Sequence, residues 1–82
     1  MLKRTTYPIA AIRVPVKRAK TLDPAKVQAL AESIMADGQT APISLRADGD
    51  GFVLIEGYHR LEALKALGET TVDAFLVHAR LH

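Results

Sequence analysis

Residues 55–64 read Ile-Glu-Gly-Tyr-His-Arg-Leu-Glu-Ala-Leu, and in them an apolar run stops at Gly57 while spacing of helical period starts directly after it. A strand that gives way to a helix through one glycine sets the first helical turn at the end of a sheet. The unpaired backbone N–H groups there, and the positive end of the helix dipole, suit an anion and repel a cation. That turn carries His59 and Arg60. Two basic side chains in a first turn oppose the dipole, and such local conflicts concentrate where a ligand restores the balance, in this case a negatively charged one. The structural alternative is an ion pair from Arg60 to Glu56, one turn back, or to Glu62.

Upstream of the glycine, Phe52-Val-Leu-Ile55 is apolar on both parities, which predicts an interior strand covered on both faces. It is reached through Asp48-Gly49-Asp50-Gly51, a turn sequence that folds it back on Ile43-Ser44-Leu45-Arg46, where apolar and polar residues alternate as in a half-buried strand. Asp48-Gly49-Asp50 is not a calcium loop, since the twelve-residue ligand pattern and its closing glutamate are missing. Downstream, Leu61, Leu64 and Leu67 face inward beside Ala63, and Gly68 ends the helix. The segment from Thr70 to Val77 then returns to strand, with Val72, Ala74 and Leu76 on one side and Phe75 and Val77 on the other.

Further back, Leu22-Asp23-Pro24 is a helix start: Asp23 accepts from first-turn amides and Pro24 suits the first helical position, although Lys26 stands where a capping box needs Glu or Gln. Val27, Leu30, Ala31, Ile34 and Met35 make the apolar face, Lys26, Gln28, Glu32 and Ser33 the outer one, and Gly38 the end. From Ile9 to Val16 the chain has Ile12, Val14 and Val16 at strand spacing, with Pro15 favouring a sheet edge. The segment from Lys17 to Thr21 reads as a basic exposed connection. The order is strand, helix, strand, hairpin, strand, helix, strand: an α+β fold with a mixed β-sheet and two helices.

The chain has 82 residues, about half of them apolar (49%), which suits one compact domain over residues 1–82. It has no cysteine, so disulfides, thiolate metal sites and cysteine nucleophiles are excluded. No apolar run nears the roughly 20 residues of a membrane helix and no signal region follows the N-terminus, which predicts a soluble cytoplasmic protein without a membrane partner. The net charge is only +2, but Lys3, Arg4, Arg13, Lys17, Arg18 and Lys20 crowd the basic segment 1–20, and no acid precedes Asp23. Such asymmetry attracts nucleic acid, with Lys17, Arg18 and Lys20 as the DNA-binding candidates, or it is ordinary solvated surface. The four aromatic residues do not interleave with the cluster, so no base-stacking platform is predicted. The histidines show no metal-ligand spacing, and no metal site is predicted.

Leu30-Ala-Glu-Ser-Ile34, Gly38, Pro42-Ile43 and Gly57-Tyr-His-Arg60-Leu-Glu-Ala63, in that order, resemble the N-terminal domain of ParB-type partition proteins, in the superfamily shared with sulfiredoxin. The likeness runs from about Ile9 to Val77. It implies a ParB/sulfiredoxin-like fold in which the Gly-x-x-Arg turn starts a helix that holds nucleotide phosphates, of CTP in partition proteins and of ATP in sulfiredoxin. Carried over, Gly57 gives close backbone approach and His59 and Arg60 contact phosphate oxygens. Tyr58 either meets a base or covers the core edge, and Gln39 and Thr40 fall in the family's other ligand-facing loop. Arg60 suits the role because a guanidinium holds two phosphate oxygens at once and stays charged. His59 either donates to phosphate, acts as a general acid or base, or caps the helix.

The departures from the pattern carry equal weight. Tyr58 stands where sulfiredoxin has its catalytic cysteine, which excludes that thiolate chemistry. The further helical region and helix-turn-helix of partition proteins do not follow in these 82 residues, so a CTP-driven clamp is not expected from this chain alone. Some relatives are free-amino-acid kinases with a carboxylate base, for which Glu56 is the nearest catalytic candidate, beside His59. Nuclease activity, attached to the family by name, is not predicted, because no paired carboxylates stand ready to hold Mg²⁺. The expectation is a module that binds a nucleotide (CTP, ATP or ADP, with Mg²⁺ left open) or another phosphate-bearing ligand, linked to plasmid or chromosome partition or to regulation. The alternatives are a DNA-binding accessory protein using the basic segment, or an interaction scaffold with a homodimer or protein partner.

Overall fold

In the computed structural model, which describes residues 4–39 and 41–78, five strands form one mixed sheet. They are β1 (Arg4–Pro8), β2 (Ile12–Arg13), β3 (Ile43–Asp48), β4 (Gly51–Glu56) and β5 (Thr71–Leu76), arranged β1-β5-β3-β4-β2. The β1–β5 and β3–β4 pairs are antiparallel, and β3–β5 and β2–β4 are parallel. Three helices complete the fold: α1 (Val16–Ala19), α2 (Pro24–Asp37) and α3 (Tyr58–Ala66). None of the described helices is long and apolar enough to cross a membrane.

The core grows from the alternation of β3, β4 and β5 against the inner face of α3. Ile43, Leu45, Leu54, Val72 and Ala74 meet Tyr58, Leu61 and Leu64 there, with Ile9 closing one end. Val53 is buried on the other parity of β4, as expected of an interior strand with apolar residues on both faces. Asp23 caps α2 by accepting from the amide of Ala25, Pro24 occupies the first helical position, and Gly38 terminates the helix. Yet α2 contributes no fully buried residue. It packs on α3, outside the central layer, and its apolar stripe is shared between α3 and solvent.

Several expectations are corrected. The predicted first strand shrinks to Ile12–Arg13, because Ile9–Ala11 forms a 3₁₀ turn that donates the Ile9 amide to Thr70 O and packs so closely on the hairpin that Ala11 O leaves room only for glycine at position 51. Its place in the sheet is nonetheless an edge, as Pro15 suggested. Val16 is 76% exposed and begins α1, so the stretch read as a basic connection is partly helical. The other edge strand, β1, lies in residues that the pattern left unassigned. Thr5, Thr6 and Tyr7 are strand-prone, but their only partner is β5, about 70 residues away. Met35, read as part of the apolar face, is 75% exposed, because that face is wider than the surface α3 offers it.

Candidate anion-binding site

Gly57 joins β4 to α3 with φ at 106°, in the left-handed region. A Cβ there would lie 2.5 Å from Ile43 Cγ2 and 2.8 Å from Ile43 Cβ. The close approach that requires glycine is therefore to the start of β3. Since the first α3 amide with a helical acceptor is that of Leu61, on Gly57 O at 2.9 Å, the amides of Tyr58, His59 and Arg60 have no partner within the helix.

Beside this turn lies a cleft of about 390 Å³, lined by Glu56 to Arg60, by Ser44 and Pro42 of the β3 region, by Leu30 of α2, and by Arg18 and Thr21. Its cations are Arg18 and Arg60; its one carboxylate is Glu56, which is exposed. Arg60 bears on the ion-pair alternative. It forms no ion pair with Glu56 or Glu62 among the described residues, and Glu62 pairs instead with Lys65 at 3.1 Å. The Arg60 Nε is buried with no hydrogen-bond partner among the described residues. A buried guanidinium nitrogen without an acceptor is costly, so the chain leaves a cation's donor unsatisfied beside a cleft.

The neighbouring side chains make contacts within the protein. Tyr58 is 8% exposed and belongs to the core, its ring 5.9 Å from that of His59. His59 accepts the backbone N–H of Asp23 through Nε2 at 3.0 Å and so links α3 to the start of α2. Arg18 donates to the carbonyl of Ile55. That carbonyl is available because the β3–β4 ladder slips there, Leu45 facing Leu54 and Ser44 facing Glu56, while β2 extends along β4 only to Val53.

Gln39 lies away from this cleft. Its Nε2 donates to Ala41 O at 2.8 Å and Asp73 O at 3.0 Å, and its Oε1 accepts from Asp73 N at 2.9 Å, so the whole amide is engaged in continuing the β5 ladder. Thr40 lies outside the described residues. Part of the basic segment is paired with acids of the protein itself, at its surface. Arg4 pairs with Asp73 at 2.8 Å and Arg13 with Asp48 at 2.6 Å, while Lys17 and Lys20 are exposed. The hydrogen bond from Arg13, and then its charge, hold the Asp48 carboxyl below the usual carboxylate range. Arg18, Thr21 and Ser44 were not read as members of the Gly57 site. Arg18 had been grouped with its basic neighbours, and no spacing in the sequence brings it to residue 60.

A small α+β domain whose glycine-started helix opens on a cleft with two arginines is a fold of a recognisable kind. The chain belongs to the ParB N-terminal domain family, whose model matches residues 3–81. It is 39% identical over 70 residues to the chromosome-partitioning protein ParB of Myxococcus xanthus, a match covering 84% of this chain and 24% of that protein. Among solved structures it is similar to sulfiredoxin from Arabidopsis thaliana, with TM-score 0.83, 28% identity, and coverage of 94% of this chain and 86% of that one. It also shares the fold of C-terminally truncated ParB from Caulobacter crescentus complexed with CTP-γ-S, with TM-score 0.78 and 21% identity over 98% of this chain and 46% of that one.

Proposed function

We propose that this chain is a nucleotide-binding module, operating in DNA partition or its regulation, that takes the phosphates of its ligand at the Gly57–Arg60 helix start. The observation that carries the reading is the buried, unpartnered Nε of Arg60. A phosphate oxygen supplies the missing acceptor, and the guanidinium fork can hold two of them. The free amides of Tyr58, His59 and Arg60 add donors at the positive end of α3. The ParB of Caulobacter complexed with CTP-γ-S makes CTP the first ligand to try.

Among the described residues Glu56 is the one carboxylate on the cleft, so a metal accompanying the nucleotide is held by the phosphates. His59 Nε2 is engaged with Asp23, so Glu56 is the more accessible of the two candidate bases. Titration with CTP, ATP and ADP by calorimetry tests the reading. Arg60→Ala removes a charge-assisted bond of about 1.5–3 kcal/mol, a loss of roughly tenfold to a hundredfold in affinity, without loss of fold stability. Arg60→Lys falls between, since an ammonium cannot replace the fork. Equal binding by wild type and Arg60→Ala, or no binding of any of the three at millimolar concentration, refutes the proposal.

A further inference from the structure

One wall of the cleft belongs neither to the sheet nor to α3. It is the strap from Arg18 to Asp23, the end of α1 and the connection into α2, and two bonds hold it to the body of the protein. Arg18 donates to Ile55 O at one end, and at the other Asp23 N–H donates to His59 Nε2 at 3.0 Å. Between them the strap is tied to itself, with Thr21 donating to Arg18 O both from Oγ1 at 2.7 Å and from its amide at 2.9 Å. The rest of Asp23 is committed to α2. Its Oδ1 accepts from Ala25 N at 3.0 Å, and its carbonyl accepts from Lys26 N at 3.0 Å and Val27 N at 3.1 Å.

A ring nitrogen that accepts a hydrogen bond carries no proton, so the neutral His59 ring holds its proton on Nδ1. Nε2 cannot at the same time donate to a phosphate oxygen. The geometry points to His59 as a positioning residue: its Nε2 fixes the strap, and with it the Arg18 guanidinium, across the cleft from Arg60. Phosphate recognition is left to the arginines and the α3 amides. This assignment rests on the phosphate reading above, but its central bond is open to measurement without any ligand.

Three variants separate the possibilities. In His59→Gln the amide oxygen reaches the place of Nε2 and accepts from Asp23. His59→Asn is too short, since its amide overlies the Nδ1 side of the ring, and His59→Ala has no acceptor. Hydrogen exchange of the Asp23 amide is read by NMR, with the amides of Leu54 and Leu61 reporting that the fold is intact. Loss of one ordinary hydrogen bond corresponds to about fivefold faster exchange at Asp23 in His59→Ala and His59→Asn, and to CTP binding weaker by a similar factor, with both restored in His59→Gln. The assignment is overturned if Asp23 exchanges in His59→Ala as in wild type. It is overturned equally if His59→Gln protects Asp23 yet binds CTP no better than His59→Ala, because the imidazole then touches the ligand itself. If none of CTP, ATP and ADP binds wild type, the phosphate reading fails, and the Asp23 exchange still decides whether His59 holds the strap.

Discussion

Replacing Gly57 by alanine probes the junction on which both the fold and the site depend. The new Cβ meets two separate objections. The backbone at φ 106° disfavours any L side chain, at about 1–2 kcal/mol, and contacts of 2.5 and 2.8 Å with Ile43 Cγ2 and Cβ force a displacement of about 1–3 kcal/mol in a packed core. Together they amount to roughly 2–5 kcal/mol, against a total of about 4–12 kcal/mol for a chain of this length. In urea, where a small domain unfolds with a slope of roughly 1 kcal/mol/M, the midpoint falls by about 2 M or more. Gly68→Ala is the internal control: its φ is 81° but nothing lies within 4 Å of an added Cβ, so only the first effect applies, at about 1 kcal/mol. Adding Ile43→Ala removes the nearer of the two contacts and makes the Gly57→Ala cost smaller by about 1 kcal/mol in a double-mutant cycle. If Gly57→Ala and Gly68→Ala agree within 0.5 kcal/mol, the close approach of β3 to the turn is refuted.

Gln39→Ala removes three hydrogen bonds to Ala41 and Asp73 and leaves an amide and carbonyl of β5 without partners, so thermal unfolding shifts down by about 1–3 kcal/mol while nucleotide affinity of the folded protein is unchanged. Selective loss of affinity at unchanged stability would return Gln39 to the ligand site. For Asp48, a folded-state titration below the usual carboxylate range makes its ionised form stabilising at neutral pH, and that small contribution fades as pH falls through the depressed value. NMR titration of its carboxyl follows this, and Arg13→Ala returns the titration towards the ordinary range. Met35→Lys changes stability by less than about 0.5 kcal/mol in denaturant, because the side chain is already in water; a larger loss shows that it is covered in solution.

The legible features were those set by near neighbours in sequence. Asp23-Pro24 starts a helix by its own chemistry, Asp48 to Gly51 turns a hairpin, and a change of period at Gly57 marks strand giving way to helix. The turn, together with the Leu30–Ile34 helix segment, Gly38 and Pro42-Ile43, carries the family resemblance. Long-range partnerships were not legible. Arg18 reaches Ile55, Gln39 reaches Asp73 and His59 reaches Asp23 across 34 to 37 residues, and each choice depends on which carbonyl or amide the sheet leaves unpaired. Met35 misled for a related reason: helical period identifies an apolar stripe but not how much of it a partner covers.

The strand order has a consequence for how the chain is put together. Among the described strands β1 is paired only with β5, Arg4 facing Phe75 and Pro8 facing Thr71, so the earliest described strand has no place to bind until the latest one exists. The same short N-terminal segment, through β2, also borders β4 at the opposite edge. Closing the β1 margin thus joins residues from the two ends of the described chain, and such long-range pairing makes assembly slower than a hairpin and two helices alone would be. A chain emerging from the ribosome carries β1 without its β5 partner until residue 76 has been made.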